Sequence, residues 1–155
     1  AQEFLDAYFN TFTRLAEYLE ETKEYARQHG YTTTLYGRCR HFPGLQSGAP
    51  FIRAQAERMA INAPVQGTAA DVMRIAMNRV YDYIHEQAAT DDVRMLLQVH
   101  DELVFEIKTD VLAQQVPQLQ SIMESVLADQ EHHDVPLKAD VATGPNWGQL
   151  TDWEG

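Results

Sequence analysis

Cysteine is nearly absent from this sequence. Cys39 stands alone, so no internal disulfide is expected, and that usage fits a reducing, cytosolic setting. No run of about 18 apolar residues occurs, so no transmembrane helix and no membrane partner are expected. The first residues lack the charged-then-apolar pattern of a secretion signal. No internal repeat is visible. Basic residues are scarce, 12 against 23 acids, and the formal net charge of −11 argues at first against nucleic acid as a partner. What is present is an ordinary globular composition. The 155 residues are 45% hydrophobic, with seven Tyr and six Phe, one domain's worth and enough to bury a core.

The charge is unevenly spread. Residues 1–35 are net −3 and residues 81–155 net −12, whereas residues 36–80 are net +4. That middle segment holds Arg38, Arg40, Arg53, Arg58, Arg74 and Arg79 against only Glu57 and Asp71. A basic middle between acidic flanks can meet phosphate locally, although scattered solvated arginines would give the same count.

Hydrophobic periodicity organises the rest. Residues 2–29 repeat aromatic and aliphatic positions at helical spacing up to Gly30, a C-terminal cap. The Thr-rich patch around Phe12 predicts a break into two helices, with Thr13 capping the second. The stripe of Phe4/Leu5, Tyr8/Phe9, Phe12, Leu15, Tyr18/Leu19 and Tyr25/Ala26 reads as core. Residues 31–35 and 38–41 predict two short strands joined through Tyr36-Gly37, with Arg38 and Arg40 on one face. Residues 43–50 read as a loop open to disorder. Phe51 to about Gln87 predicts a long helix, kinked or briefly broken at Pro64, whose alanines (Ala56, Ala60, Ala63, Ala69, Ala70) demand close neighbours. Asp110 to Asp129 predicts a further helix with Leu112, Val116, Leu119, Met123 and Val126 on one side and a kink at Pro117. Leu137 to Ala142 alternates like a half-buried strand and closes in a turn anchored by Trp147. Residues 1–150 form the folded part and 151–155 a tail.

Two constellations stand out. Met95 to Ile107 is a pair of apolar arms around His100-Asp101-Glu102, the pattern of a hairpin with ionisable residues at its tip. Such arms do not belong at the surface and adjacent carboxylates do not belong in a core, so the turn lifts Asp101 and Glu102 to the mouth of a cleft. Adjacent hard oxygen donors suit Mg²⁺, which takes one or two carboxylates plus substrate phosphates. A solvated, inert acidic tip is the plainer alternative, because short motifs match often by chance. His100 adds a metal ligand, a base or a hydrogen-bond donor to the same tip. The second constellation is Arg58, Asn62 and Gln66, stacked at i, i+4 and i+8. Such a row suits the acceptor-rich minor-groove edge of a duplex, which looks nearly the same for every base pair. A solvated polar face opposite alanines is again the alternative.

The segment from Arg53 through Glu57-Arg58, Asn62, Pro64 and Gln66-Gly67-Thr68 to Asp71, followed by Leu97-Gln98-Val99-His100-Asp101-Glu102-Leu103-Val104, closely resembles the C-terminal third of family A DNA polymerases, the bacterial DNA polymerase I type. Thr34-Leu35-Tyr36-Gly37-Arg38 and Gly144-Pro145-Asn146-Trp147 match the same family in the same order, with departures at Tyr36 and Cys39. The resemblance implies an α+β fold: an α-rich first half, then a β-hairpin, a helix and a strand forming part of the antiparallel palm sheet. It implies that Asp101 is a ligand of a catalytic Mg²⁺ pair, Glu102 its supporting carboxylate and His100 a contact to the primer 3′ end. Arg58, Asn62 and Gln66, with Arg53, Arg38 and Gln98, would contact primer–template DNA. The implied partners are that DNA and deoxynucleoside triphosphates, in replication and repair synthesis at the nucleoid.

The family's second palm aspartate and its nucleotide-gripping helix have no counterpart here. The chain is therefore expected to be a C-terminal piece, inactive alone, because two-metal transfer needs carboxylates from two places. Its aromatic stripe would meet the N-terminal part of the polymerase, or pair in a non-native dimer. Two other readings compete: a small metal-dependent phosphodiesterase centred on Asp101 and Glu102, which needs a second carboxylate within reach, and a duplex-binding module without chemistry.

Overall fold

The computed structural model describes residues 2–87, 89–127 and 135–153. The chain divides into two compact units, residues 1–71 and 72–155.

The first unit opens with helices α1 (Gln2–Thr11) and α2 (Thr13–His29). The expected break falls at Phe12, whose φ of −108° and ψ of 63° are not helical. Thr13 is not the cap. Phe12 holds that position without a side-chain bond, and the nearby hydroxyl, Thr11 Oγ1, donates back to the Ala7 carbonyl at 2.9 Å. At the other end Gly30 adopts φ 79° and its N–H donates to the Ala26 carbonyl at 2.8 Å, as expected of a left-handed cap. Strands β1 (Tyr31–Thr33) and β2 (Cys39–His41) pair antiparallel, with Thr32 opposite Arg40. Arg38 lies before β2, in the turn.

Residues 43–50 are more ordered than expected. Pro43–Gln46 form a 3₁₀ turn that buries Leu45 beside Phe42, Ala26, Ala56, Ala60 and Ala63. This core is built mainly of alanine, so the elements around it approach closely. Of the expected stripe, Ala26 joins this core, and Phe9 and Leu19 are half-buried. Tyr8, Phe12, Leu15, Tyr18 and Tyr25 are 37–53% exposed, and Ala26 is the buried residue of α2. The periodicity was real, but a small hairpin and an alanine face cannot cover so wide a stripe.

Helix α3 (Pro50–Glu86) runs 37 residues without a break. Pro50 suits its first turn, where no N–H is needed. Pro64 removes one ladder bond but does not end the helix, since Ala60 and Ala63 beside it are buried by tertiary packing. Ala69 and Ala70, expected to face a close neighbour, are exposed.

In the second unit, strands β3 (Val93–Val99) and β4 (Glu102–Ile107) form the expected hairpin, and α4 (Leu112–Glu124) follows. Their core joins Val80, Ile84, Ala89, Val93 and Leu119, with Met95, Phe105 and Ile107 packed against it. Helix α4 begins after Val111, passes Pro117 unbroken and continues as a 3₁₀ turn over Ser125–Leu127, with Val116, Leu119 and Val126 buried. Its expected end at Asp129 lies outside the described residues.

The strand expected over 137–142 does not form a ladder. Its burial alternates as expected, but side chains of α4 hold its backbone. Gln120 Nε2 donates to the Ala139 carbonyl at 2.8 Å, and the Ala139 N–H donates to Glu124 Oε1 at 3.1 Å. The pairing moves downstream, to β5 (Ala142–Thr143) and β6 (Thr151–Asp152). Residues 151–153 are thus not a loose tail, and the Trp153 N–H also donates to the Val141 carbonyl at 2.8 Å. Trp147 is 52% exposed rather than an anchor. The α+β class holds, with the strands among the described residues arranged as three separate two-stranded antiparallel ribbons. No helix among the described residues is long and apolar enough to cross a membrane.

Candidate functional site

The β3–β4 register decides where the ionisable tip falls. Val99 is opposite Glu102, leaving a two-residue loop of His100 and Asp101, with Glu102 already the first residue of β4. Such loops need a positive φ at a central residue, usually met by glycine. Here His100 takes it, at φ 54°, the one non-glycine residue with positive φ among those described. Gln98 Nε2 donates across the turn to the His100 carbonyl at 2.5 Å. At the hairpin base the Lys108 N–H donates to the Asp92 carbonyl at 2.9 Å, and the Lys108 ammonium reaches Asp92 Oδ1 at 2.6 Å.

The tip projects His100, Asp101 and Glu102 together, all three exposed. The arms are less buried than their composition suggested. The register shifts between Met95 and Leu97, and Leu96 and Leu97 are 53% and 49% exposed. A bulge turns residues out of alternation, so an apolar run can show part of itself to solvent. The base alone is anchored, by Val93, Met95, Phe105 and Ile107.

The donor set at the tip suits Mg²⁺ as part of a site. Two carboxylates on adjacent residues offer hard oxygens, and Mg²⁺ accepts one or two carboxylates while taking its other ligands from water and phosphate. Among the described residues no group of three or more His, Cys, Asp or Glu side chains is placed to hold a metal ion.

In the first unit, Arg58, Asn62 and Gln66 lie along α3, with Ala56, Ala60 and Ala63 buried behind them. Arg58, Asn62 and Gln66 are all exposed. Arg53, one turn earlier, donates from Nη1 to the Ser47 carbonyl at 3.2 Å. Glu57 does not join the row. It takes Arg27 of α2 through Nε and Nη2 at 3.0 and 2.8 Å, and that bond raises the Arg27 guanidinium above its ordinary value. Arg38 and Arg40 line one cavity with Gln66, as their shared face predicted, but Arg38 also pairs with Asp71 at 2.7 Å. Sequence reading missed Gly67, Thr68 and Asp71 as contacts of the β1–β2 turn. No signal in the sequence marked them, because the burial of Asp71 and its nearness to Arg38 appear only in the fold.

A family model, DNA polymerase family A, matches residues 1–149. DNA polymerase I of Rhizobium leguminosarum is 40% identical over 149 residues, covering 96% of this chain and 15% of the relative. The thermostable DNA polymerase I of Thermus aquaticus is 43% identical over 150 residues, covering 95% of this chain and 17% of the relative. Among solved structures, the POL domain of Pol1 from M. smegmatis, in complex with DNA primer-template and dNTP, superposes with a TM-score of 0.78 at 38% identity. That match covers 86% of this chain and 23% of the other. The chain therefore spans a small share of the proteins it matches.

Proposed function

Because this chain belongs to DNA polymerase family A, we propose that it carries part of the catalytic core of a template-directed DNA polymerase. In that reaction the primer 3′-hydroxyl attacks the α-phosphate of a deoxynucleoside triphosphate and pyrophosphate leaves in line. The observation that supports this best is the β3–β4 tip, a two-residue loop on a packed base that holds two carboxylates and an imidazole outward.

Asp101 is the residue that would hold Mg²⁺, with Glu102 as its supporting carboxylate. When bound, the ion supplies charge neutralisation for the phosphates and lowers the pKa of a bound hydroxyl. His100, fixed at its positive φ, would contact the primer end. The row of Arg58, Asn62 and Gln66 would lie along the minor groove of the primer–template, where amides sense pairing geometry without reading sequence. Arg53 and Gln98 would add contacts to the same DNA.

The test is Asp101→Asn in a full-length polymerase carrying these residues. The side chain is exposed, so the fold should be unchanged while kcat for primer extension falls by about a thousandfold or more, the scale of several kcal/mol of charge stabilisation. Full retention of kcat would remove Asp101 from the chemistry. A duplex-binding module without chemistry would be indicated instead if DNA binding were strong and no Asp101 variant altered any reaction.

A further inference from the structure

Arg38 does two things at once. Its Nε donates to Asp71 Oδ1 at 2.7 Å and its Nη2 to the Gly67 carbonyl at 2.9 Å. Asp71 is 7% exposed, so the pair anchors a charge that would be costly to leave alone. Two further contacts tie the same turn to the same stretch of α3. The Leu35 N–H donates to Thr68 Oγ1 at 3.0 Å. A Cβ on Gly67 would stand 2.6 Å from Thr34 Cγ2, so the turn packs on bare helix backbone there. Thr34 is itself buried, and its hydroxyl accepts the Arg38 N–H at 3.1 Å. The contacts of the turn with α3 fall on residues 67–71, immediately after Gln66. Gln66 lines a cavity of about 190 Å³ whose other walls include Thr32, Thr34, Arg38 and Arg40.

We propose that Arg38 and Asp71 are positioning residues: they clamp the β1–β2 turn onto α3 at Gly67, and the clamped turn restricts the rotamers of Gln66. The clamp touches no DNA. Arg38 and Gln66 line the same cavity, and Gln66 is otherwise exposed, so discrimination between matched and mismatched primer ends depends on an ion pair behind the reading face. This rests on the minor-groove role proposed above for Gln66. It also assigns Arg38 an action through Gln66, with two of its five N–H groups already engaged, rather than a direct hold on phosphate.

The experiment compares Asp71→Asn, Arg38→Gln, Arg38→Lys, Gly67→Ala and Gln66→Ala in a full-length polymerase carrying these residues. It measures kcat/KM from matched and mismatched primer termini, the salt dependence of primer–template binding, and thermal unfolding. Asp71→Asn, Arg38→Gln and Gly67→Ala should each lower discrimination by about tenfold, the worth of one hydrogen bond to a charged group. Their salt slopes should match the unsubstituted enzyme, and none should lower discrimination further when added to Gln66→Ala. Arg38→Lys, which keeps the charge, should recover part of the loss. Gly67→Ala raises helix propensity, so it keeps the test open if Asp71→Asn unfolds. The proposal is overturned if Arg38→Gln lowers the salt slope by about one while Asp71→Asn is silent, the behaviour of a phosphate contact. It is equally overturned if the clamp losses add to that of Gln66→Ala. A silent Gln66→Ala would instead remove the minor-groove role itself, a result read independently of the clamp.

Discussion

His100 holds the least comfortable backbone among the described residues, a side-chain-bearing residue at φ 54° in the tip of a two-residue loop. Strain of this kind costs on the order of 1 kcal/mol and persists where the surroundings dictate it. Glycine would relieve it, while adding a similar entropic cost in the unfolded chain. His100→Gly is therefore expected to leave the thermal midpoint of a full-length polymerase nearly unchanged while lowering primer extension. Parallel melting and steady-state kinetics would check this, and a large loss of stability without loss of rate would reverse the assignment. Gly30 presents the opposite case. It sits at φ 79°, and a Cβ added there would meet nothing within 4 Å. Gly30→Ala should therefore destabilise the chain by about 1 kcal/mol through the backbone alone, measurable by urea unfolding.

At the scale of elements, α3 carries the most consequence, because its residues supply the polar row, the alanine core and part of the second unit's core. Pro64 lies between Asn62 and Gln66 in a helix that does not break. Replacing it with alanine restores an N–H donor and removes the ring's clash with the preceding turn, so Pro64→Ala should stabilise the helix by a few kcal/mol at most. Any bend it relieves would shift Gln66 against Arg58, so primer–template affinity should fall as stability rises. Calorimetry with a DNA titration would show whether the two move in opposite directions. The β3–β4 hairpin was legible from its composition because two short apolar runs around a polar centre have few other solutions. Its bulge at Leu96 was not, since one extra residue leaves no mark in a short apolar run. The strand expected at 137–142 failed for a related reason. Alternation reports which side is covered, not what covers it, and here α4 side chains take the backbone groups a neighbouring strand would take.

For the whole molecule the net charge of −11 is misleading, because the arginines gather in residues 36–80. Residues 1–155 by themselves are expected to bind duplex DNA with a steep salt dependence and to show no primer extension. Arg58→Ala should reduce the salt slope by about one, because it removes one cation from the DNA interface. Fluorescence anisotropy across a salt series checks the first expectation. Extension by purified residues 1–155, with contaminating polymerase excluded, would contradict the second.

The succession of helices and hairpins from α1 to α4, the cap at Gly30, the β3–β4 hairpin and its acidic tip, and the polar row on α3 were all determined by the sequence alone, because each rests on local periodicity or on a single residue's backbone preference. Tertiary structure decided which apolar positions are covered. It left the aromatic stripe of α1 and α2 open, buried Leu45 in a loop, and paired residues 142–143 with 151–152. It also joined Arg38 to Asp71, residues 33 positions apart whose pairing depends on a turn resting against bare helix backbone at Gly67. Contacts that distant arise from packing geometry, and no local pattern encodes them.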